Sequence, residues 1–199
     1  MMTAIIDYGA GNLFSVKNAL DYIGAESKVT NNAADLESAD RIILPGVGAF
    51  PDAMKALGGT GLIDTIREQA QKKPLLGICL GMQMLFDKSF EFGETDGLGL
   101  IPGSVELMTP PDLLIPQIGW NRLLYNEPCA LLESLGEEPY VYFVHSYAAV
   151  CGSKNVAAYT DYGENVPACV FSGNVYGCQF HPEKSGETGL RILRNFLAL

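Results

Sequence analysis

Short apolar segments alternate with helical ones through the first half of the chain, and this order restricts the fold more than any other feature. Residues 3–7, 41–44 and 74–79 have the composition of buried strands. Apolar residues spaced as on one face of a helix follow at 13–23 and at roughly 60–72. Because strands joined by helices form a parallel sheet with right-handed crossovers, the pattern predicts such a sheet.

The second half of the chain is richer in strand patterns. Segments that alternate or run apolar between turns lie at 101–107, 115–118, 140–147, 155–161 and 168–180. A final helical pattern covers 190–197. We therefore predict an α/β fold with a single domain over residues 1–199, in which helices flank a mixed, mostly parallel sheet.

Two helix starts are also predicted. Asn12 stands where its side chain can cap the helix that ends at Gly24. The segment at 81–87 is interpreted as a helix that follows the strand at 74–79. This places Cys79 at a strand-to-helix junction.

Composition excludes several classes of protein. The net charge of −10 argues against a protein that binds nucleic-acid phosphates, and no apolar run is long enough to span a bilayer. The first residues, MMTAIIDYGAGN, lack the basic and apolar stretches of a signal peptide. Five cysteines without a CxxC pair favour reduced thiols over a disulfide framework or a zinc site. We therefore expect a cytoplasmic protein.

Cys79 lies in Gly77-Ile78-Cys79-Leu80-Gly81, which has the form of a nucleophile elbow with cysteine in place of serine. Flanking glycines suit a sharp turn with no room for Cβ atoms beside the nucleophile. A helix that begins at the thiol favours the thiolate. A structural cysteine between packing glycines explains the same five residues, so this segment alone leaves both interpretations open.

A cysteine nucleophile needs a proton acceptor, which is usually an imidazole, and the chain has two histidines. His181 is followed two residues later by Glu183, and this spacing in an extended chain lets the carboxylate orient the ring. His145 has no acid at such a spacing. We therefore predict Cys79, His181 and Glu183 as catalytic residues, although a lone histidine is more often a core or surface group.

Four cysteines lack the flanking glycines of an elbow, and we predict that they are buried thiols. They are Cys129, Cys151, Cys169 and Cys178. Gly9 and Gly11 match part of a dinucleotide-binding fingerprint whose third glycine is missing. We therefore predict no nucleotide cofactor, and no other cofactor or metal.

Three motifs follow one another over nearly the whole chain: PGVG at 45–48, GICLGMQ at 77–83 and HPEKS at 181–185. Together they resemble the class I, triad-type glutamine amidotransferase domain. The resemblance implies a flavodoxin-like fold and hydrolysis of glutamine to glutamate and ammonia.

Within that class, three further segments are similar to the glutaminase subunits of imidazole glycerol phosphate synthases, from histidine biosynthesis. They are DYGAGN at 7–12, GWN at 119–121 and YFVHSY at 142–147. The resemblance implies that Cys79 forms a γ-glutamyl thioester. It also implies that His181 passes a proton to the departing ammonia and then activates water.

The resemblance implies roles for further residues. Oxyanion donors would be the N–H of Leu80 and an N–H of the loop at Val47 and Gly48, after the Val47 peptide turns. Residues matching positions that hold glutamine are Gly46, Gln83, Glu91, Ser146 and Tyr147. Without the resemblance, the ordinary polarity of helices and strands explains them.

The ammonia is implied to pass into a (β/α)8-barrel cyclase subunit, in a 1:1 heterodimer. Residues matching the face that meets this partner are Asn12, Trp120, Asn121 and Lys184. Trp120, as the only tryptophan, fits a core position equally well without the resemblance. The family usually has a histidine and an apolar residue, often Met, between Pro116 and GWN. Here Gln117 and Ile118 follow Pro116, so the imidazole is lost.

Three alternatives remain. The chain could be an amidotransferase of the same chemistry that serves another synthase, for example in tryptophan or pyridoxal phosphate formation. A cysteine hydrolase of the γ-glutamyl or DJ-1-like kind would share the elbow but would need neither GWN nor a partner. A binding subunit without activity is disfavoured by the presence of all three catalytic residue types.

Overall fold

A computed structural model describes all 199 residues, which form fourteen strands and six helices. The strands are β1 (Met2–Ile6), β2 (Glu26–Thr30), β3 (Arg41–Gly46), β4 (Leu75–Cys79), β5 (Phe86–Ser89), β6 (Thr95–Asp96), β7 (Ile101–Leu107), β8 (Gln117–Arg122), β9 (Leu124–Tyr125), β10 (Tyr140–His145), β11 (Tyr147–Val150), β12 (Val156–Asp161), β13 (Asn165–Ser172) and β14 (Val175–Cys178). The helices are α1 (Leu13–Tyr22), α2 (Ala33–Ser38), α3 (Phe50–Thr60), α4 (Ile63–Ala70), α5 (Leu80–Gln83) and α6 (Gly186–Ala198). Short 3₁₀ turns occur at Ala130–Leu132, Ser153–Asn155 and Pro182–Lys184. None of the helices combines the length and apolar character needed to cross a membrane.

The central sheet has eight strands in the order β2-β1-β3-β4-β14-β13-β12-β9. The pairings from β2 through to β14 are parallel, and those from β14 onwards to β9 are antiparallel. The predicted α/β class, with a mixed sheet flanked by helices, is confirmed. Since β4 lies between β3 and β14 and runs parallel to both, the carboxyl ends of these three strands meet at one edge of the sheet.

Two hydrophobic cores cover the two faces of this sheet. Neighbouring residues of β1 point to opposite faces, so Ile6 joins the core that contains Leu44 and Phe86, whereas Ile5 joins the core that contains Phe180. Strands β3 and β4 are buried along their whole length for the same reason. Packing on both faces holds the strand ends in fixed positions.

Two smaller sheets lie beside the central one. Strands β11, β7, β5 and β6 form the first, and β10 and β8 form an antiparallel ribbon in which Tyr142 is opposite Trp120. The N–H of His181 donates to the carbonyl oxygen of Tyr142 at 3.0 Å. This bond attaches the ribbon to the chain segment that follows β14.

Several local features differ from the sequence predictions. The segment at 81–87 is helical only through Gln83, since Phe86–Ser89 pairs with β7 as a strand. The side chain of Asn12 makes no capping hydrogen bond. The helix predicted at roughly 60–72 is the shorter α4, and α3 precedes it. Strand β2 was not predicted from the sequence, because it is a largely exposed edge strand without an apolar run.

Candidate active site

Cys79 is the last residue of β4 and directly precedes α5, so the predicted strand-to-helix junction is present. Its backbone has φ 55° and ψ −114°, a conformation that is strained for a residue with a Cβ atom. Although only 7% of Cys79 is exposed, the residue lines a cavity. This geometry favours the elbow interpretation over a structural cysteine.

Close packing explains the glycines around Cys79. A Cβ atom on Gly81 would collide with the carbonyl oxygen of Leu44, and one on Gly77 would lie 2.6 Å from the carbonyl oxygen of Gly81. A Cβ atom on Gly46 would lie 2.6 Å from the amide nitrogen of Gly81. Strands β3 and β4 can therefore approach the start of α5 only because all three positions are glycine.

His181 and Glu183 lie beside the thiol. Nδ1 of His181 is 2.8 Å from Oε1 of Glu183, and both side chains are buried. Burial alone would lower the pKa of His181, but the nearby thiol of Cys79 and the hydrogen bond to Glu183 outweigh it and raise this pKa to about 9. The carboxylate reaches the ring through the 3₁₀ turn at Pro182–Lys184, so the expected extended chain was wrong.

His145 lies in the same cavity in a different chemical state. Its Nδ1–H donates to the carbonyl oxygen of Tyr147 at 2.9 Å, since a carbonyl can only accept, and its buried Nε2 has no partner. Burial, assisted by the nearby charge of His181, lowers the pKa of His145 to about 4 against the effect of the backbone hydrogen bond. His145 is therefore a neutral ring with no acid beside it.

The loop after β3 supplies free N–H groups to the cavity. Val47 and Gly48 are exposed, and their amide nitrogens donate no hydrogen bond. The N–H of Leu80 is the first of α5, so no preceding helical turn can accept it. Tyr8, whose pKa is raised chiefly by burial, stays protonated and donates to the carbonyl oxygen of Pro45 at 3.0 Å. The loop is thus hydrogen-bonded at its start, Pro45, but not through the N–H groups of its tip at Val47 and Gly48.

Most predicted site residues border one cavity of about 540 Å³. Those that line it are Val47, Gly48, Cys79, Leu80, Gln83, Glu91, Ser146, Tyr147, His181 and Lys184. Glu183 lies behind the ring of His181, and Gly46 lies against the elbow without lining the cavity.

Glu91 reaches the cavity from the loop after β5. Its Oε2 accepts a hydrogen bond from the N–H of Phe50 at 2.7 Å. Because Phe50 opens α3, the carboxylate lies at the positive end of that helix. Glu91 therefore presents a fixed negative charge to the cavity.

Gln179, which no sequence motif revealed, is fully buried beside the thiol. Its Nε2 lies 3.9 Å from Sγ of Cys79, and its Oε1 accepts from Nε2 of Gln83 at 3.0 Å. Nε2 of Gln83 also donates to the carbonyl oxygen of Tyr147 at 2.9 Å. A polar residue in an otherwise apolar segment, two positions before His181, is the signal that could have revealed Gln179.

The residues predicted to meet a partner lie mainly outside the cavity. Trp120 is 52% exposed, so a core position is wrong for it. Lys184 is exposed at the rim of the cavity, in the 3₁₀ turn that both α1 and β10 contact. Asn12 precedes α1 and is partly exposed. Since β8 pairs with β10, and both β10 and α1 contact this turn, the three residues lie on neighbouring elements.

Gln117 and Ile118, at the positions where the family usually has a histidine and an apolar residue, affect the surface around Trp120 differently. Gln117 is fully buried, and its Nε2 donates to Oδ1 of Asn121 at 3.0 Å. The side chain of Asn121 is therefore held from within the ribbon. Ile118 is exposed and, two residues from Trp120 on β8, projects from the same face of the strand. Gln117 thus supports the ribbon, while Ile118 adds apolar surface to it.

The other four cysteines differ from Cys79 in their surroundings. Cys169 and Cys178 are buried as predicted, whereas Cys129 and Cys151 are only partly buried. Burial raises the pKa of Cys151 to about 11, and a hydrogen bond to Cys169 together with burial raises that of Cys129 further. Both thiols are therefore poor nucleophiles at neutral pH. No group of three or more His, Cys, Asp or Glu side chains is arranged to hold a metal ion.

Comparison with known proteins agrees with this geometry. A family model described as glutamine amidotransferase class-I matches residues 4–199. Imidazole glycerol phosphate synthase subunit HisH of Caldanaerobacter subterraneus subsp. tengcongensis is 50% identical over 197 residues, which cover 98% of this chain and 97% of that protein. The protein of the same name from Listeria innocua is 50% identical over 98% of this chain and 94% of its own length.

Solved structures with low sequence identity share the fold. The structure of PurLQS from Thermotoga maritima superposes with a TM-score of 0.78 at 21% identity, over 99% of this chain and 97% of that chain. A crystal structure of a glutamine amidotransferase gives a TM-score of 0.76 at 24% identity, over 98% of this chain and 97% of that chain.

Proposed function

The chain belongs to the class-I glutamine amidotransferase family, and we propose that it is the glutaminase subunit of imidazole glycerol phosphate synthase, in histidine biosynthesis. The observation that carries this proposal is the grouping of Cys79 and His181 at one cavity, with Glu183 hydrogen-bonded to the histidine ring from behind. Identity of 50% over nearly the whole length of relatives with that subunit's name supports it. These two relatives carry the name of the imidazole glycerol phosphate synthase subunit, and not that of a synthase in tryptophan or pyridoxal phosphate formation.

In the proposed reaction, the thiolate of Cys79 attacks the side-chain carbonyl carbon of glutamine. With its pKa raised to about 9, His181 carries a proton at neutral pH and transfers it to the nitrogen as the C–N bond breaks and ammonia departs. The γ-glutamyl group remains on the sulfur as a thioester. His181, now neutral, takes a proton from water as the water oxygen attacks the thioester. Cleavage of the C–S bond then releases glutamate and restores the thiolate and imidazolium.

Both tetrahedral intermediates carry a negative oxygen that needs hydrogen-bond donors. We assign the N–H of Leu80 and an N–H of Val47 or Gly48 to this role, because these groups border the cavity and those of the loop have no protein partner. Loss of one such donor typically lowers the rate by about 10²–10³-fold.

The cavity also offers groups for the amino-acid end of glutamine. Glu91 places its carboxylate where it can pair with the α-ammonium group. Gln83 and the backbone of Ser146 and Tyr147 supply polar contacts to the rest of the substrate. Gly46, which lies behind the elbow, contributes by allowing the close packing of the turn.

We assign the surface around Trp120, Ile118, Asn12 and Lys184 to contact with a (β/α)8-barrel cyclase subunit in a 1:1 heterodimer. Its apolar ribbon face and its position beside the cavity suit a partner that receives ammonia directly. The tip of the loop at Val47 borders the same cavity, and its N–H groups make no hydrogen bond within the protein. If the competent loop were only ~1% populated, partner binding would need to favour it by about 3 kcal/mol.

The proposal is tested by measuring ammonia release from glutamine. The purified subunit is assayed alone, with the barrel subunit, and with the barrel subunit and its nucleotide ligand. We expect little hydrolysis by the chain alone and the highest rate with both additions. Equal rates in all three assays would favour the free-standing cysteine hydrolase, and no hydrolysis in any of them would favour a binding subunit.

The partner surface is tested separately with Trp120→Ala. This variant should associate weakly with the barrel subunit and lose activation, while a glutamine analogue should still label Cys79. Tyr22→Ala removes another exposed aromatic ring, at the far end of α1, and serves as the matched control. Equal loss of association in the two variants would contradict the assigned surface.

A further inference from the structure

The direction of one buried hydrogen-bond chain is fixed by a backbone group. The carbonyl oxygen of Tyr147 can only accept, so the atom of Gln83 that faces it at 2.9 Å must be the amide nitrogen. The second hydrogen of that nitrogen points to Gln179, which must present its Oε1 at 3.0 Å. The amide nitrogen of Gln179 then faces Sγ of Cys79 at 3.9 Å. A donor, and not an acceptor, is thus directed at the sulfur.

The sulfur has a second contact of the opposite kind. The carbonyl oxygen of Val144 lies 3.9 Å from Sγ and can accept a hydrogen bond only from the S–H of the thiol. The amide of Gln179 can donate to the sulfur in its charged form. Because hydrogen bonds to an ionised group are stronger than those between neutral groups, this donor can hold the thiolate in place once it has formed.

We propose that Gln179 is a positioning residue that holds the ionised sulfur of Cys79 in its attacking orientation. It acts through the amide nitrogen that Gln83 and the Tyr147 carbonyl direct at the thiolate. Gln179 is fully buried and does not line the cavity, so its amide contacts the sulfur without occupying the space for substrate. This inference rests on the proposed role of Cys79 as nucleophile.

Two substitutions separate this role from simple packing. Gln179→Met keeps a similar volume but removes the donor. Gln179→Glu keeps the shape and still accepts from Gln83. When its carboxyl group is ionised, the second oxygen faces the sulfur as an acceptor. A structural role predicts that the near-isosteric Glu is the milder change, whereas the proposed role predicts that it is the more damaging one.

The primary measurement is the rate at which iodoacetamide alkylates Cys79, determined at several pH values. Mass spectrometry of the peptide that contains Cys79 monitors the reaction. At a fixed neutral pH we expect Gln179→Met to lower the rate roughly three- to tenfold, as for loss of a weak charge-assisted hydrogen bond, and Gln179→Glu to lower it further. Both variants keep the other titratable side chains around the site. They are Tyr8, Glu91, His145, His181, Glu183 and Lys184.

The second measurement is glutamine hydrolysis with the barrel partner present. The fall in kcat should follow the fall in alkylation, with KM changed less than about threefold, since a group that does not touch substrate contributes little to its binding. Asn155→Leu is the control, because it removes another buried amide whose Nδ2 donates to the carbonyl oxygen of Phe171 at 3.0 Å, outside the cavity.

Unchanged alkylation in both folded variants, or an equal loss in Asn155→Leu, would overturn the role of Gln179. A milder effect of Glu than of Met would do the same. If one variant failed to fold, the alkylation profile of the other would decide. Because alkylation needs no glutamine, a chain that showed the expected alkylation order but no hydrolysis would support the contact and contradict the proposed function.

Discussion

Two strand ends each bring a histidine to the same cavity, yet they give the two rings opposite properties. His181, which follows β14, has the carboxylate of Glu183 at 2.8 Å and the thiol of Cys79 nearby, and its pKa is raised to about 9. His145, at the end of β10, is held by the carbonyl oxygen of Tyr147, and its pKa is lowered to about 4. Both rings are buried, so burial does not explain the difference.

Anionic partners make the difference. A buried imidazole without a carboxylate stays neutral, whereas one between a carboxylate and a potential thiolate becomes a proton donor at neutral pH. The identity of the base therefore depends on the neighbours of each ring, and the following substitutions change those neighbours in turn.

The largest effect is expected for Cys79→Ala, which removes the partner of His181 but not of His145. Glutamine hydrolysis should be abolished because no thioester can form. Stability should change by less than ~1.5 kcal/mol, as for a small side chain at a cavity. A diazo-ketone analogue of glutamine should label wild-type protein at Cys79 only, as judged by peptide mass spectrometry.

Cys151→Ala is the control for this substitution, since Cys151 is partly exposed but lies outside the cavity. It should retain full activity. Activity near the wild-type level in Cys79→Ala, or labelling spread over Cys151, would contradict the assignment of the nucleophile.

His181→Asn should be nearly as damaging as loss of the thiol. It removes both the proton donor to ammonia and the acceptor from water, and kcat should fall by about 10⁴-fold or more. Steady-state hydrolysis with the barrel partner present measures this. A greater loss in His145→Asn than in His181→Asn would show that the wrong base had been chosen.

Glu183→Gln should be milder, because the carboxylate orients the ring and does not itself transfer a proton. We expect a loss of kcat that is roughly one to two orders of magnitude smaller than for His181→Asn. The pKa of His181 should also fall, which histidine NMR titration can follow. Glu187→Gln, at an exposed position on α6, is the matched control and should change neither quantity.

Some features of the fold and of the site could be predicted from the sequence, and others could not. Gly77, Cys79 and Gly81 revealed the elbow because the turn tolerates few residue types, and the contacts of both glycines follow from the same constraint. Strand β5 was hidden because only its first residue, Phe86, belongs to the apolar run at 84–86, and so short a run fits a strand as well as a helix. The helical turn that brings Glu183 to His181 was also not readable, since spacing alone does not fix the backbone.

Contacts between distant parts of the chain were the least predictable. The amide of Gln179 and the thiol of Cys79 are a hundred positions apart, and the sheet order that joins them appears only in the fold. The low pKa of His145 depends on the burial of β10 against the neighbouring elements, which no local pattern encodes.

His145→Asn should have the smallest effect on activity and should separate the two histidines by pH. The amide of Asn can replace the Nδ1–H donor, so kcat should change less than about threefold. Folded His145 has a pKa below its ordinary value of 6.5, so its contribution to stability is complete above pH 6.5 and is lost as the pH falls towards 4. Folded His181 has a pKa above 6.5, so its contribution is complete below pH 6.5 and is lost as the pH rises through about 9.

Urea unfolding at pH 5, 6.5 and 8.5 tests these opposite signs. In His145→Asn, the fall in unfolding free energy between pH 6.5 and pH 5 should be smaller than in the wild type by about 1–3 kcal/mol. The change in unfolding free energy between pH 6.5 and pH 8.5 should be the same as in the wild type. His181→Asn should do the reverse, so each variant controls for the other. Identical pH profiles in the two variants would mean that the rings do not differ in charge state, and the assignment of His181 as the proton donor would lose its physical basis.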